Sequence, residues 1–196
     1  DFILKNNLWR DDFGPLMAFA KVFGLPQAEF EARVPGTIDV DQWLRAFAFA
    51  TLSGAVDHYS SGAQHNADFY VRPSDGRMLF FPHDLDFYVA SYSGALVANA
   101  DLARLVQVPA NRRAFYGHLL DILRTACNGD YMARYAAQFG ALLPGQDFAS
   151  HLQFLVNRAA WVMDGAADAV NRAFPVVPFE ITTNGGADMQ VSVGTM

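Results

Sequence analysis

The 196-residue chain has 52% hydrophobic residues, 17% charged residues and a formal net charge of −6, which suits one folded domain with a substantial core. Its basic residues are scattered, with only Arg112 and Arg113 adjacent, so it lacks the basic stripe that nucleic-acid binding requires. Its apolar runs are too short to cross a bilayer, and its single cysteine, Cys127, excludes an internal disulfide and a thiolate metal cluster.

The amino-terminal part of the chain predicts helices. Apolar residues recur at helical spacing over 11–23, and a short helix is expected over 27–34. The next helix is the most clearly indicated, because Asp39 can cap it and Gln42 stands three residues further on. Its apolar side should lead the chain directly into Asp57. The residues of that side are Trp43, Leu44, Phe47, Thr51 and Leu52.

A β-hairpin is expected next. Segments 68–72 and 77–81 have strand character, and the Pro-Ser-Asp-Gly segment 73–76 between them favours a turn. Because a hairpin brings its two flanking segments together, we expect Asn66 and Asp84 to lie side by side, with Asp57 close by.

The carboxy-terminal half again predicts helices, after an irregular Tyr-, Ser-, Gly- and Ala-rich segment over 87–98. Helices are expected over 101–106, from Pro109 to Asn128, over 130–139 and over 147–172. The last should bury Leu152, Leu155, Val156, Ala159 and Met163. Segments 179–182 and 189–193 alternate like strands. The expected fold class is therefore α+β, mainly helical, with residues 1–174 as one domain and residues 175–196 as a linker and the first strands of a β domain.

The segment from Asp57 to Asp86 holds the candidate site. Phosphoryl transfer needs a carboxylate to orient or deprotonate the attacking hydroxyl, and oxygen ligands for magnesium. Asp57 can serve as the first, and Asn66 and Asp84 as the second. Taken alone, each of these residues is also typical of an ordinary turn.

The same segment contains His58, His65 and His83. A zinc or iron site built of histidine and carboxylate is therefore an alternative. Their spacing matches no His-x-x-x-His helical pair, which weakens that alternative.

These motifs resemble the CotH kinase family, named for a bacterial spore-coat protein and related to protein kinases. The resemblance rests on Asp39 to Arg45 leading to Gly54-Ala55-Val56-Asp57-His58-Tyr59, on His65-Asn66 before Tyr70, and on Pro82-His83-Asp84-Leu85-Asp86. It extends from about Leu4 to Arg172.

The resemblance implies a protein-kinase-like carboxy-terminal lobe and assigns roles within the site. Asp57 matches the catalytic aspartate, Asn66 and Asp84 the metal ligands, and Asp86 an auxiliary acidic residue near a second metal. His65, His83 and His58 would support the site. The implied cofactors are ATP and Mg²⁺ or Mn²⁺. In this chain His83 replaces the usual Trp, and Asn66 lies further from Asp57 than in an ordinary eukaryotic kinase.

Kinases hold ATP between two lobes and use a lysine of the amino-terminal lobe, but no strand-rich lobe precedes Asp11 and Lys5 is not a credible substitute. We therefore expect a longer parent protein, with little nucleotide binding by this segment alone. The sequence after Pro178 resembles the start of an immunoglobulin-like module of bacterial secreted proteins. That resemblance favours an extracellular or cell-surface parent.

The resulting expectation is an ATP- and magnesium-dependent kinase acting on Ser or Thr hydroxyls of secreted or surface proteins. Its partners would be a nucleotide and a protein substrate. Two alternatives remain: a non-catalytic, pseudokinase-like surface or coat module, and a histidine and carboxylate metallohydrolase.

Overall fold

The structure is a computed structural model that describes residues 3–5, 9, 12–63, 65–84, 89 and 91–174, together with the backbone of two strands over 179–183 and 189–193. Most of the described residues are helical, and two small antiparallel sheets complete the structure. The predicted α+β, mainly helical class is confirmed.

Three helices form the amino-terminal part: α1 (Gly14–Phe23), α2 (Gln27–Thr37) and α3 (Val40–Ser53). The predicted cap of α3 is confirmed, since the Asp39 carboxylate accepts a 3.3 Å hydrogen bond from the backbone amide of Gln42. Helix α3 is the centre of the core, because Trp43 and Phe47 are fully buried and α5 packs along it.

The predicted hairpin consists of β1 (Ala67–Val71) and β2 (Met78–Pro82), in a register that pairs Ala67 with Pro82 and Val71 with Met78. Its turn closes through a 2.8 Å bond from the Gly76 amide to the Arg72 carbonyl. Gly76 has a φ of 71°, a left-handed conformation that glycine adopts without steric penalty.

The hairpin is fixed to α3 by side-chain hydrogen bonds. The Gln42 side chain donates to the Phe80 carbonyl at 2.6 Å and accepts from the Phe80 amide at 3.0 Å, so it pairs with β2 as a neighbouring strand would. The Trp43 indole donates to the Met78 carbonyl at 2.8 Å. The Gln42 side chain, three residues after the Asp39 cap, is thus used on β2. These contacts fix β2 against α3.

The remaining helices are α4 (Ala100–Leu105), α5 (Pro109–Thr125), α6 (Gly129–Leu142), α7 (Phe148–Ala160) and α8 (Val170–Ala173). Residues 91–98 contain no helix or strand, as the sequence predicts. The prediction of one long helix over 147–172 was wrong. A π-helical turn, Trp161–Gly165, follows α7, and the chain bends before α8.

The predicted core stripe of this region was also wrong in part. Val156 is 47% exposed, whereas Arg158 is the buried residue of α7. The reason is tertiary, because the Arg158 side chain donates to the Thr51 carbonyl at the end of α3 and is buried there.

The strands β3 (Phe179–Thr183) and β4 (Met189–Val193) pair antiparallel in a sheet of their own. This agrees with the strands predicted there, and the larger β domain stays a prediction. Among the described residues, no helix is both long and apolar enough to cross a membrane.

Candidate functional site

The candidate site begins where α3 ends. Gly54 caps the helix with a φ of 66°, and its amide bonds the Thr51 carbonyl. A larger residue would clash here, because a Cβ on Gly54 would lie 2.4 Å from Phe154 Cζ and 2.8 Å from the Ser91 carbonyl oxygen. The sharp turn therefore depends on glycine, and it delivers Asp57 three residues later.

Asp57 is held by contacts from the segment that leads into β1. His65 Nε2 lies 2.7 Å from Asp57 Oδ1, and the Asn66 side-chain amide donates to the Asp57 main-chain carbonyl at 2.7 Å. The second oxygen of the carboxylate, Oδ2, has no hydrogen bond to a described residue. Asp57 is therefore oriented by its neighbours and still has an oxygen that can accept a proton.

Asn66 and Asp84 flank the open end of the hairpin. The His83 amide donates to the Asn66 carbonyl at 3.2 Å, which extends the β1–β2 pairing by one step and places Asp84 directly after the pair. The structure thus brings together Asp57, Asn66 and Asp84 as the sequence predicts. Asp86 lies outside the described residues.

Asn66 and Asp84 also share an uncommon backbone conformation. Their φ angles are 58° and 53°, and Val89 is the other non-glycine residue with positive φ in the described part of the chain. Left-handed backbone is uncommon outside glycine, although Asn and Asp adopt it several-fold more often than other residues. It occurs here at both residues that flank the open end of the hairpin.

His58 occupies the buried side of the site. It is fully buried, its Nδ1 accepts a 3.0 Å bond from the Ser60 amide, and its Nε2 has no partner among the described residues. Burial, together with the neighbouring His65 and His83, lowers the pKa of His58 from 6.5 to about 4. His58 is therefore neutral at pH 7 and holds the short helix Tyr59–Ser61 that follows Asp57.

The oxygen donors at the hairpin end fit a magnesium or manganese ion. The Asn66 amide nitrogen is used on Asp57, so its carbonyl Oδ1 stays available, and the exposed Asp84 carboxylate has no hydrogen bond to a described residue. Magnesium takes hard oxygen ligands and is typically held by one or two protein groups, with phosphates and water completing the shell. Asn66 and Asp84 are therefore the two described residues that could hold such an ion.

The histidine-based alternative is less well supported. The described residues contain no group of three His, Cys, Asp or Glu side chains placed to hold a metal ion. His58 is buried with Nδ1 on Ser60, and His65 is hydrogen-bonded to Asp57. These two histidines thus have separate partners, and the supporting role of the three histidines stays a prediction.

Sequence reasoning missed one polar feature beside the site. Arg158 of α7 is 4% exposed and donates to the Thr51 carbonyl from Nε at 3.0 Å and from Nη2 at 2.7 Å. Its Nη1 donates to the Tyr92 carbonyl at 2.8 Å. No periodicity predicts a buried arginine here, because its carbonyl partners belong to distant segments of the chain.

The sequence of the chain matches a known protein family. The family model described as CotH kinase protein matches residues 8–151. The chain belongs to the CotH kinase protein family. This match confirms the resemblance found in the motifs, and it spans α1 to α6, the hairpin and every candidate site residue. No curated protein matches the chain. A kinase-like role follows from membership at a coarse level.

Proposed function

We propose that this chain is the catalytic lobe of a CotH-type protein kinase that transfers phosphate from ATP to Ser or Thr hydroxyls. The observation that carries the proposal is the meeting of Asp57, Asn66 and Asp84 at the open end of the hairpin, with the Asn66 amide 2.7 Å from the Asp57 carbonyl. Phosphoryl transfer relies on positioning and charge stabilisation, which a carboxylate beside a two-ligand metal site supplies.

Each residue has a defined task in this proposal. Asp57 orients the attacking hydroxyl and accepts its proton, while His65 holds the carboxylate in place. Asn66 and Asp84 hold the divalent ion, and Asp86 is assigned the auxiliary acidic role. The ion, when bound, neutralises charge on the transferred phosphate. His58 stays neutral and supports the turn after Asp57 from the protein interior. His83 lies next to Asp84, at the position where the family usually has Trp.

The amino-terminal lobe is assigned to the parent protein. We do not assign the role of the ATP lysine to Lys5, which forms an exposed ion pair with Asp68 of β1 at 2.9 Å. Nucleotide binding by residues 1–196 alone should accordingly be weak. We further propose an extracellular or cell-surface parent whose partners are a nucleotide and a protein substrate. The strand pair β3–β4 supports this, since it agrees with the start of an immunoglobulin-like module.

A non-catalytic scaffold is the second candidate. It has one observation in its favour, since His65 occupies one oxygen of Asp57. Against it, the open end of the hairpin holds a carboxylate beside two further oxygen donors, which is the set that phosphoryl transfer uses and that a scaffold does not require.

The test uses the full-length parent with labelled ATP, with Mg²⁺ or Mn²⁺, and with secreted proteins as acceptors. The proposal predicts label on Ser or Thr, loss of labelling on chelation, and recovery when Mg²⁺ is restored. Absence of labelling by a folded parent that binds nucleotide would favour the scaffold. Metal-dependent hydrolysis that needs no nucleotide would favour the metallohydrolase.

A further inference from the structure

Segment 91–98 contains no helix or strand, yet one of its sides lies directly against the turn that follows α3. The Ser91 carbonyl oxygen approaches the backbone of Gly54 so closely that a Cβ there would lie 2.8 Å from it. Directly after the segment, the Asn99 side chain donates to the Tyr59 carbonyl at 2.8 Å. The segment is therefore packed against the turn that carries the proposed base.

A carboxylate from a distant part of the chain holds the other side of the segment. Asp168 lies in the bend before α8. Its Oδ2 accepts hydrogen bonds from the backbone amide of Leu96 at 3.2 Å and from that of Val97 at 3.1 Å. Hydrogen bonds to an ionised acceptor are stronger than those between neutral groups. Asp168 thus supplies the acceptor that a neighbouring strand would otherwise supply to these two amides.

Two further side chains from the same part of the chain bind carbonyls of the segment. Arg158 Nη1 donates to the Tyr92 carbonyl at 2.8 Å, and the Trp161 indole donates to the Gly94 carbonyl at 2.9 Å. With the carboxylate described above, the partners span residues 158–168, beyond the part of the chain that the family model matches. The position of an irregular segment therefore depends on residues to which the family match assigns no role.

The part of the segment that is held in this way is open to solvent. Residues 93–95 are exposed and line one wall of a cavity of about 280 Å³. The facing wall includes Val56, Ser60 and Ser61, which flank Asp57 along the chain. Exposed irregular segments are as a rule the least stable parts of a fold, and those that carry function are positioned by the scaffold around them. Several side chains committed to one exposed segment beside the candidate base therefore indicate a position that function requires.

We propose that Asp168 is a positioning residue for the acceptor protein, because its carboxylate holds segment 91–98 against the turn of Asp57, where the segment forms one side of the acceptor site. This inference rests on the proposed function. Asp168 acts only through the backbone of the segment and is assigned no contact with nucleotide or metal. A displacement of about 1 Å in a reacting group can lower a rate about 100-fold, so the segment need move only slightly to matter.

The test compares Asp168→Ala with Asp168→Asn, which loses the charge and keeps an oxygen that can accept from the Leu96 and Val97 amides. Asp164→Ala is the matched control, because Asp164 is an exposed carboxylate of the same region and its partner is Asn171 of α8. All variants are made in the full-length parent. Hydrogen exchange reports on the two amides. Initial rates with labelled ATP and dephosphorylated casein give kcat/KM for the acceptor and KM for ATP.

In Asp168→Ala the amides of Leu96 and Val97 should exchange at least about tenfold faster, while those of α3 and α5 keep their rates. For the acceptor, kcat/KM should fall at least about tenfold, with the KM for ATP changed by less than about twofold. Asp168→Asn should recover part of both losses. Asp164→Ala should behave as the wild type in both measurements.

Two exchange results would overturn the inference. Unchanged exchange at Leu96 and Val97 would mean that Asp168 does not hold the segment, and faster exchange throughout α3 and α5 would mean a general loss of stability. In the kinetic measurement, an unchanged kcat/KM for the acceptor, or equal losses for ATP and acceptor, would contradict the acceptor role. Because exchange needs no phosphate transfer, it distinguishes failure of this inference from failure of the proposed function.

Discussion

The side-chain amide of Asn66 donates a 2.7 Å hydrogen bond to the main-chain carbonyl of Asp57. This bond joins the start of the hairpin to the turn after α3, two segments that the sequence separates by nine positions. It also fixes which Asn66 atom faces the site, since the nitrogen is engaged and the carbonyl oxygen is available. The relative position of the proposed base and the proposed metal ligands therefore depends on this bond.

Two replacements of Asn66 should distinguish how much its hydrogen bond and its backbone strain each affect the free energy of unfolding. Asn66 has a φ of 58°, which alanine tolerates poorly and glycine tolerates well. Asn66→Ala should lower the free energy of unfolding by about 2 kcal/mol, and Asn66→Gly by about 1 kcal/mol. Urea denaturation measures both. Equal losses in the two variants would show that the left-handed backbone contributes no strain.

Gly54 should be far less replaceable than Gly76, although both have positive φ. At Gly54 a Cβ would lie 2.4 Å from Phe154 Cζ, whereas at Gly76 nothing lies within 4 Å. Gly54→Ala should therefore cost about 3 kcal/mol or more, and the matched Gly76→Ala about 1 kcal/mol. Thermal and urea unfolding measure the difference. Similar losses would mean that segment 91–98 and α7 do not pack against the turn as described.

His58 should make the fold less stable in mild acid. Its pKa is 6.5 in the unfolded chain and about 4 in the buried position, so the unfolded state binds the proton first as the pH falls. This destabilisation is small above pH 6.5 and grows to about 3 kcal/mol as the pH falls toward 4. Urea midpoints between pH 7 and 4.5 for the wild type and His58→Asn check this. The variant should lose less stability over that range, and identical pH profiles would contradict the buried, neutral assignment.

The sequence predicted the elements whose signals are local. Asp39 caps α3, and the Pro-Ser-Asp-Gly turn closes the hairpin, because both depend on side chains within a few residues. For the same reason Asn66 and Asp84 could be expected to meet, since a hairpin brings its ends together.

Features that depend on distant partners were not predictable. Gln42 pairs with Phe80 and Arg158 is buried against Thr51, and both contacts exist only once the helices have packed. The expected apolar stripe of α7 failed for the same reason, since periodicity does not show how much of a helix its neighbours will cover. The left-handed backbone of Asn66 and Asp84 likewise has no sequence signal as clear as a glycine.

His65 should act on catalysis by orienting Asp57. Its Nε2 lies 2.7 Å from Asp57 Oδ1, so His65→Ala removes this contact and leaves the metal ligands in place. For the full-length parent, kcat should fall about tenfold while the KM for ATP changes little. The variant His65→Gln can donate a similar bond and should recover part of the loss. A change in KM with unchanged kcat would instead place His65 in nucleotide binding.

The most direct test of the central claim is the rate of phosphate transfer by the full-length parent carrying Asp57→Asn or Asp84→Asn. Both substitutions keep side-chain shape and remove the charge proposed to act on the hydroxyl or the metal. Asp130→Asn, an exposed position in the first turn of α6, is the matched control. The account predicts that the two site variants lose at least about 100-fold in kcat with the fold intact, while the control keeps its activity. Unchanged transfer by a folded Asp57→Asn or Asp84→Asn protein would contradict it.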